Sequence, residues 1–208
     1  MKLRNTWVLF LLMSIGYAAN AQFGYGFTVS NDLYHRYVNP KDDKATSASA
    51  GSAILNLGIG PKIWIGSKSF SFSAESQALI GIFGLSTSEY KGMGTLAIPV
   101  IAKLNFKGLS TFDKEGKLGP SIGGGIQFNR TELYGVSDDF ASKGLERTFF
   151  KTFIIQAGYG FGLSGFTTHG FVRYGFHPDE KTSTLNIGIQ FDFNVPMLKK
   201  ITNPESEL

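Results

Sequence analysis

The chain alternates apolar and polar residues with a period of two over most of its length. The clearest case is segment 184–195, TLNIGIQFDFNV, where Leu185, Ile187, Ile189, Phe191 and Phe193 occupy every second position. Successive side chains of a β-strand point to opposite faces, whereas an α-helix repeats about every 3.6 residues and does not give this pattern. The segment is therefore predicted to be a strand with one apolar and one polar face.

The same alternation, of varying quality, recurs along the chain and predicts eight strands in all. The other seven are 23–30, 53–65, 69–82, 95–106, 119–129, 148–163 and 166–176, of which 119–129 and 166–176 show the weakest pattern. Short turns at 66–68 and 164–165 alternate with long polar links at 31–51, 83–94 and 130–147. Outer-membrane barrels have short periplasmic turns and longer outer loops. The link 107–119 is long for a periplasmic turn, and we interpret it as a hairpin extension.

The chemistry of the polar face distinguishes a membrane barrel from a soluble one. A strand face in water is normally rich in Lys and Glu, but this face holds mainly Gly, Ser, Thr, Asn and Gln. The charged residues on the predicted strands are Lys62, Glu75, Lys103, Lys151, Arg173 and Asp192. Small uncharged residues suit a narrow lumen, so the sequence predicts an all-β, eight-stranded, antiparallel, up-and-down transmembrane β-barrel. A soluble lipocalin-like barrel, apolar inside, is the alternative.

The composition of the chain agrees with strands confined on both faces. The 208 residues include 26 Gly and 19 Phe, and only 17% are charged, against about 25% in soluble globular chains. The sequence has no Cys, which excludes a disulfide scaffold, a Cys-ligated metal site, a thiol nucleophile and a lipoprotein anchor.

The N-terminus has the features of a secretory signal. Lys2 and Arg4 precede an apolar stretch at 7–17, which is shorter than the about 20 residues of a membrane helix, and Ala19-Asn20-Ala21 fits a cleavage site. We predict a signal peptide over 1–21, an outer-membrane barrel over 22–195 and a periplasmic tail over 196–208. An uncleaved anchor is the alternative. Without Lys2 and Arg4, the 20 basic residues fall to 18 against 16 acidic ones, a near balance that argues against nucleic-acid binding.

The signal, the eight alternating strands and the closing strand resemble the small outer-membrane β-barrel proteins, which include the OmpA barrel domain, OmpX and the PorT-like barrels. The resemblance covers about 22–195 and is architectural, since no short motif fixes a subfamily. It implies a Gram-negative outer membrane, contact with its lipid and lipopolysaccharide, and insertion by the barrel-assembly machinery. Two features depart from the family: no peptidoglycan-binding domain follows the barrel, and Phe193 is followed by Pro196 and a tail where many members end on Phe.

Five charged residues occupy polar positions of the two-residue alternation and are candidates for a network inside the barrel. They are Lys62, Glu75, Lys103, Arg173 and Asp192. Eight strands enclose a space that side chains just fill, and an isolated buried ion costs several kcal/mol. We therefore expect Glu75 to pair with Lys103, Lys62 or Arg173, and Asp192 to pair with Arg173 or Lys62. Such a network is a structural plug, and a gated ion path is the alternative.

No catalytic, cofactor-binding or metal-binding residues are predicted. His169 is expected to form a hydrogen bond in the lumen. His177, Asp179 and Ser183 are the residue types of a base-assisted serine nucleophile, but short loops often contain them by chance.

The run Tyr34, His35, Arg36 and Tyr37 is a candidate recognition patch in the first outer loop, with interface anchors at a strand end as the alternative. The sequence thus predicts a non-enzymatic barrel that has a structural role or contacts an envelope protein through its outer loops. An accessory role in outer-membrane transport or protein secretion, as the PorT-like resemblance allows, is the alternative. A lipid-modifying enzyme is a more distant one.

Overall fold

The computed structural model describes residues 22–40, 50–67, 69–86, 92–110, 117–135, 148–163 and 165–202. The predicted signal peptide at 1–21 lies outside these residues, as do 41–49, 87–91 and 136–147, which make up much of the predicted outer loops, and the end of the predicted tail at 203–208.

The described residues form ten antiparallel strands. They are β1 (Gln22–Val38), β2 (Ala50–Ala53), β3 (Asn56–Gly66), β4 (Phe70–Ser76), β5 (Ala78–Ser86), β6 (Gly92–Phe106), β7 (Leu118–Gly135), β8 (Phe150–Leu163), β9 (Phe166–Phe176) and β10 (Ser183–Asn194). A 3-10 turn follows β6 at Lys107–Leu109, and helix α1 (Val195–Thr202) follows β10. No helix in these ranges is long and apolar enough to cross a membrane.

The strands close into a single barrel. The order around the ring is β1-β10-β9-β8-β7-β6-β4-β3-β5-β2, with additional pairs β1–β3 and β5–β6. Closure joins the first and last strands, because β1 pairs with β10 from Gly26↔Asn194 to Val38↔Ser183. The prediction of a closed antiparallel barrel is confirmed. We call the end where β1 begins and β10 ends the terminal end, and the opposite end the loop end.

The predicted count of eight strands is wrong, because an additional short strand precedes segment 53–65 and segment 69–82 is divided. The additional strand is β2, which begins in the predicted link 31–51 and is separated from β3 by Ile54 and Leu55, and Leu55 has a left-handed φ of 57°. Segment 69–82 is divided at Gln77. The register of β4 with β6 places Pro99 opposite Gln77, and the Gln77 N–H donates to the Pro99 carbonyl at 3.2 Å. Proline has no N–H to return the bond, so the ladder is interrupted there.

A line of irregular residues crosses β1 to β7 near the loop end. They are Leu33, Leu55, the stretch 81–85, Gly94 and Glu132. An extra residue in a strand reverses which positions face inward. On β1 the buried positions accordingly change from Asp32 and the even residues before it to the odd residues His35 and Tyr37.

The two faces of the barrel wall differ in chemistry. Exposed large apolar side chains come from β1 and from β3 to β10, and Ile82 and Phe83 are 68% and 65% exposed. Among the buried side chains, polar and charged residues outnumber the apolar ones. The described barrel is therefore apolar outside and polar inside.

Candidate functional site

The lumen holds a group of two cations and two carboxylates. Lys62 Nζ lies 2.6 Å from Asp192 Oδ2 and 3.5 Å from Glu75 Oε2, and Lys103 Nζ lies 2.7 Å from Glu75 Oε1. All four residues are buried. Adjacent strands position three of them, since Lys62 is opposite Glu75 across β3 and β4, and Lys103 is on the next strand, β6. The charges balance within this group, which we call the central ion-pair cluster.

Gln190 and Thr167 complete the hydrogen bonding of this cluster. Gln190 Nε2 donates to both carboxylate oxygens of Glu75, at 3.2 and 3.1 Å, and to Asp192 Oδ1 at 2.7 Å. Its Oε1 accepts a bond of 3.5 Å from Lys103 Nζ. Thr167 Oγ1 donates to Asp192 Oδ2 at 3.1 Å. Buried ions are tolerated when their remaining lone pairs and protons are satisfied in this way. Gln190 is not among the lumen residues predicted from the sequence, although its position in the alternation of β10 places it inside.

Arg173 lies apart from the central ion-pair cluster. Its Nε donates to Gln156 Oε1 at 2.8 Å and its Nη1 donates to Gln127 Oε1 at 3.2 Å. The guanidinium carbon lies 5.0 Å from the centroid of the buried Phe171 ring. Of the alternatives left open by the sequence, the structure thus pairs Glu75 and Asp192 with the two lysines. Arg173 is held by side-chain amides and an aromatic ring.

Further polar contacts lie nearer the loop end than the central ion-pair cluster. Ser30 Oγ donates to Gln77 Oε1 at 2.5 Å, and Gln77 Nε2 donates to Thr28 Oγ1 at 3.3 Å. Nearer the loop end, Asn186 Nδ2 donates to Asp32 Oδ2 at 2.5 Å. These bonds join side chains from different strands inside the barrel.

A tryptophan fills the terminal end of the lumen. Trp64 on β3 is buried and pairs with Gly24 on β1. A Cβ at position 24 would lie 1.8 Å from Trp64 Cζ2. The indole therefore occupies the space that any side chain at Gly24 would take.

The predicted recognition patch is divided between the two faces of β1. Tyr34 and Arg36 are exposed, whereas His35 and Tyr37 are each 1% exposed. The His35 and Tyr37 rings are in contact, with centroids 5.9 Å apart and planes inclined by 60°, and His35 Nδ1 lies 3.0 Å from Asn56 Nδ2. The four residues do not form one surface or lie in a loop, because β1 extends to Val38 and its side chains alternate.

The other two histidines lie in separate environments. His169 is buried in the lumen, and its Nδ1 lies 3.8 Å from Asp192 Oδ2. The predicted hydrogen bond of His169 is not found, because neither ring nitrogen has a hydrogen-bond partner among the described residues. His177 follows β9, and its Nδ1 accepts the backbone N–H groups of Asp179 and Glu180, each at 3.3 Å. Asp179 thus contacts His177 through its backbone. No group of three or more metal-ligating side chains of His, Asp or Glu occurs within the described ranges.

No protein-family model and no curated protein sequence matches the chain. Among solved structures, the fold is similar to that of Neisserial surface protein A, NspA, at 10% identity and a TM-score of 0.46, covering 83% of this chain and 97% of that one. It is similar to the N-terminal β-barrel domain of Pseudomonas aeruginosa OprF at 10% identity and a TM-score of 0.43, covering 83% and 100%.

A third similar structure is Ail, the attachment invasion locus protein of Yersinia pestis, at 12% identity and a TM-score of 0.42, covering 82% of this chain and 99% of that one. These neighbors are small outer-membrane β-barrel proteins, the class that the sequence pattern resembles. With identities this low and TM-scores below 0.5, these similarities carry no argument about the function of this chain.

Proposed function

We propose that the chain is an integral outer-membrane β-barrel protein with a closed lumen, which acts through its outer surface and not as an open pore or an enzyme. The observation that carries this proposal is the inverted distribution of side chains. Apolar residues cover the outside of the wall, while Lys62, Glu75, Lys103, Arg173 and Asp192 are buried inside it.

The outer surface is too apolar for a barrel in water. Monomeric soluble proteins rarely expose contiguous apolar patches larger than a few hundred Å², whereas here exposed apolar side chains come from nine of the ten strands. Aromatic residues lie toward both ends of the wall. Those near the terminal end include Phe23, Tyr25 and Phe70, and those near the loop end include Tyr134, Phe149 and Phe176. Aromatic girdles of this kind mark the two interfaces of membrane barrels.

The filled lumen favors a structural or interaction role. Trp64, the central ion-pair cluster and the amides beyond it occupy successive levels of the interior. A pore needs a continuous water-filled path, and this interior is occupied by buried polar side chains. In this proposal the outward face contacts outer-membrane lipid, including lipopolysaccharide, and the loops at the loop end contact any protein partner.

The test is the behavior of the full chain in outer-membrane fractions. Folded membrane barrels resist dodecyl sulfate until they are boiled, so we expect the unboiled protein to migrate differently from the boiled protein, and to remain in the membrane pellet after an alkaline wash. A protein that washes off the membrane and shows one mobility under both conditions would contradict the proposal.

A further inference from the structure

An exposed cation lies over an aromatic ring on the outside of β8. Lys151 is exposed, and its Nζ lies 5.2 Å from the centroid of the Phe153 ring, which is 41% exposed. Phe128 on β7 lies directly opposite Lys151. A cation–π contact holds an ammonium group close to a ring face. The charge of Lys151 is thus kept at the surface of the apolar wall.

The side chain of His177 contacts the same phenylalanine ring. The His177 ring stacks on Phe153 with centroids 6.3 Å apart and planes inclined by 21°. Its Nδ1 accepts two backbone N–H groups, from Asp179 and Glu180. A neutral imidazole whose Nδ1 is an acceptor carries its proton on Nε2. His177 therefore presents an Nε2–H donor beside Phe153.

These groups lie where the apolar wall ends. Lys151 is the second residue of β8 and His177 is the first residue after β9, both at the loop end. Exposed aromatic side chains surround them, namely Phe128, Phe149, Phe153, Tyr174 and Phe176. In a membrane barrel this is the level at which lipid tails meet headgroups. We name Lys151, Phe153 and His177 the outer basic–aromatic cluster.

We propose that the outer basic–aromatic cluster binds the phosphate of a lipid headgroup, with Lys151 Nζ and His177 Nε2 as its donors. The inference rests on the proposed membrane location. Charge-assisted hydrogen bonds to phosphate are about twice as strong as neutral ones, and the surrounding rings match the apolar part of the same lipid. A free phosphate ion gains nothing from those rings, whereas a lipid can pack its acyl chains against them. The geometry therefore favors a lipid over an inorganic ion.

The test is lipid retention by the full-length protein, measured by native mass spectrometry after reconstitution. The bilayers contain phosphatidylcholine with a minor share of phosphatidic acid, and matched bilayers contain diacylglycerol in its place. We expect retention of phosphatidic acid over diacylglycerol, and about tenfold weaker retention for Lys151→Gln, the effect of losing one charge-assisted bond. His177→Phe keeps the stacked ring and removes the donor, and it should also weaken retention.

Arg36→Gln is the matched control, because Arg36 is an exposed cation at the loop end on β1, on another part of the wall. It should retain phosphatidic acid as the unmodified protein does. Equal retention of both lipids, unchanged retention in Lys151→Gln, or an equal loss in Arg36→Gln would overturn the inference. Displacement of the lipid by millimolar inorganic phosphate would show a free-phosphate site instead. If the protein does not float with the vesicles, the proposed membrane location itself fails. Flotation therefore distinguishes a failure of the membrane proposal from a failure of the lipid-phosphate site.

Discussion

Glu75 is the residue on which the interior of the barrel depends most. It is the shared partner of Lys103 and Lys62, and both of its oxygens accept bonds from Gln190. Removing one member of a buried ion pair leaves an uncompensated charge, which is far more costly than replacing the whole pair. The individual lumen residues are therefore coupled, and their contributions to stability should not add.

Glu75→Gln should lower the free energy of unfolding by about 3–5 kcal/mol, because the two lysines are left with one buried carboxylate. The measurement is urea unfolding of the protein refolded in detergent. Asp179→Asn is the control, since Asp179 is exposed in the turn before β10 and a surface substitution is usually within about 0.5 kcal/mol. Equal unfolding free energies for the two variants would exclude a stabilizing role of the central ion-pair cluster.

Gly24→Ala tests the packing at the terminal end. The added methyl group meets the Trp64 ring, so we expect a loss of about 1–3 kcal/mol and a change in Trp64 fluorescence. Gly170→Ala is the matched control, because the nearest atom to a Cβ there is the Gly188 carbonyl oxygen at 3.9 Å. If Gly24→Ala unfolds at the same urea concentration as Gly170→Ala, the indole does not fill the space beside Gly24.

The face of the strand on which a side chain lies could be predicted from the sequence, but its position along the barrel axis could not. All five predicted lumen residues are buried, as their polar parity indicated. Arg173 is nevertheless opposite Asn186 on β10, six residues before Asp192, which is about 20 Å along a strand. Its distance from Asp192 depends on the register between strands, which a single strand's pattern does not contain. The inward orientation of His35 was missed for a related reason. It follows from the bulge at Leu33, which is a shift in the register between β1 and β10.

At the scale of elements, the barrel combines continuous and interrupted strands. The weakly patterned segments 119–129 and 166–176 lie within the unbroken strands β7 and β9, whose long ladders compensate for poor alternation. The segment 69–82 alternates well and is nevertheless divided at Gln77, and β2 forms mostly from residues that precede segment 53–65. Pro99 could have indicated the interruption at Gln77, because proline lacks a ladder donor. The left-handed residue Leu55 has no such signal, since leucine does not favor that conformation.

Closure of the barrel by β1 and β10 can be tested by cross-linking, because the chain has no native Cys. Phe27 and Phe193 are directly opposite each other, with ring centroids 4.7 Å apart. Cysteines introduced at both positions should form a disulfide on oxidation, since paired strand positions bring Cβ atoms within bonding range. The readout is gel mobility without reductant.

The control pair for this cross-link is Phe27→Cys with Tyr174→Cys. Tyr174 also faces outward, but it is on β9, and β10 separates β9 from β1. Cross-linking of the control pair and not of the 27–193 pair would show that β10 does not close the ring.

At the scale of the whole molecule, the barrel is inverted with respect to a soluble one. The low charge and the many Gly and Phe residues follow from this arrangement, because one strand face is apolar and the other faces a narrow, filled lumen. The architecture could be predicted from the two-residue period together with the scarcity of Lys and Glu on the polar face. A specific partner could not, because the alternation indicates only which side chains face outward and which face inward.

The most direct test of the inverted barrel is spin-label accessibility along β10 in lipid bilayers. Single cysteines carrying nitroxide labels are placed at each position from 186 to 191. We expect Ile187, Ile189 and Phe191 to be accessible to oxygen, which concentrates in lipid, and Asn186, Gly188 and Gln190 to be shielded from oxygen and from a water-soluble nickel complex. A period of two in oxygen accessibility would support the account. Collisions of the nickel complex with labels at 187, 189 and 191 would place that face in water and contradict it.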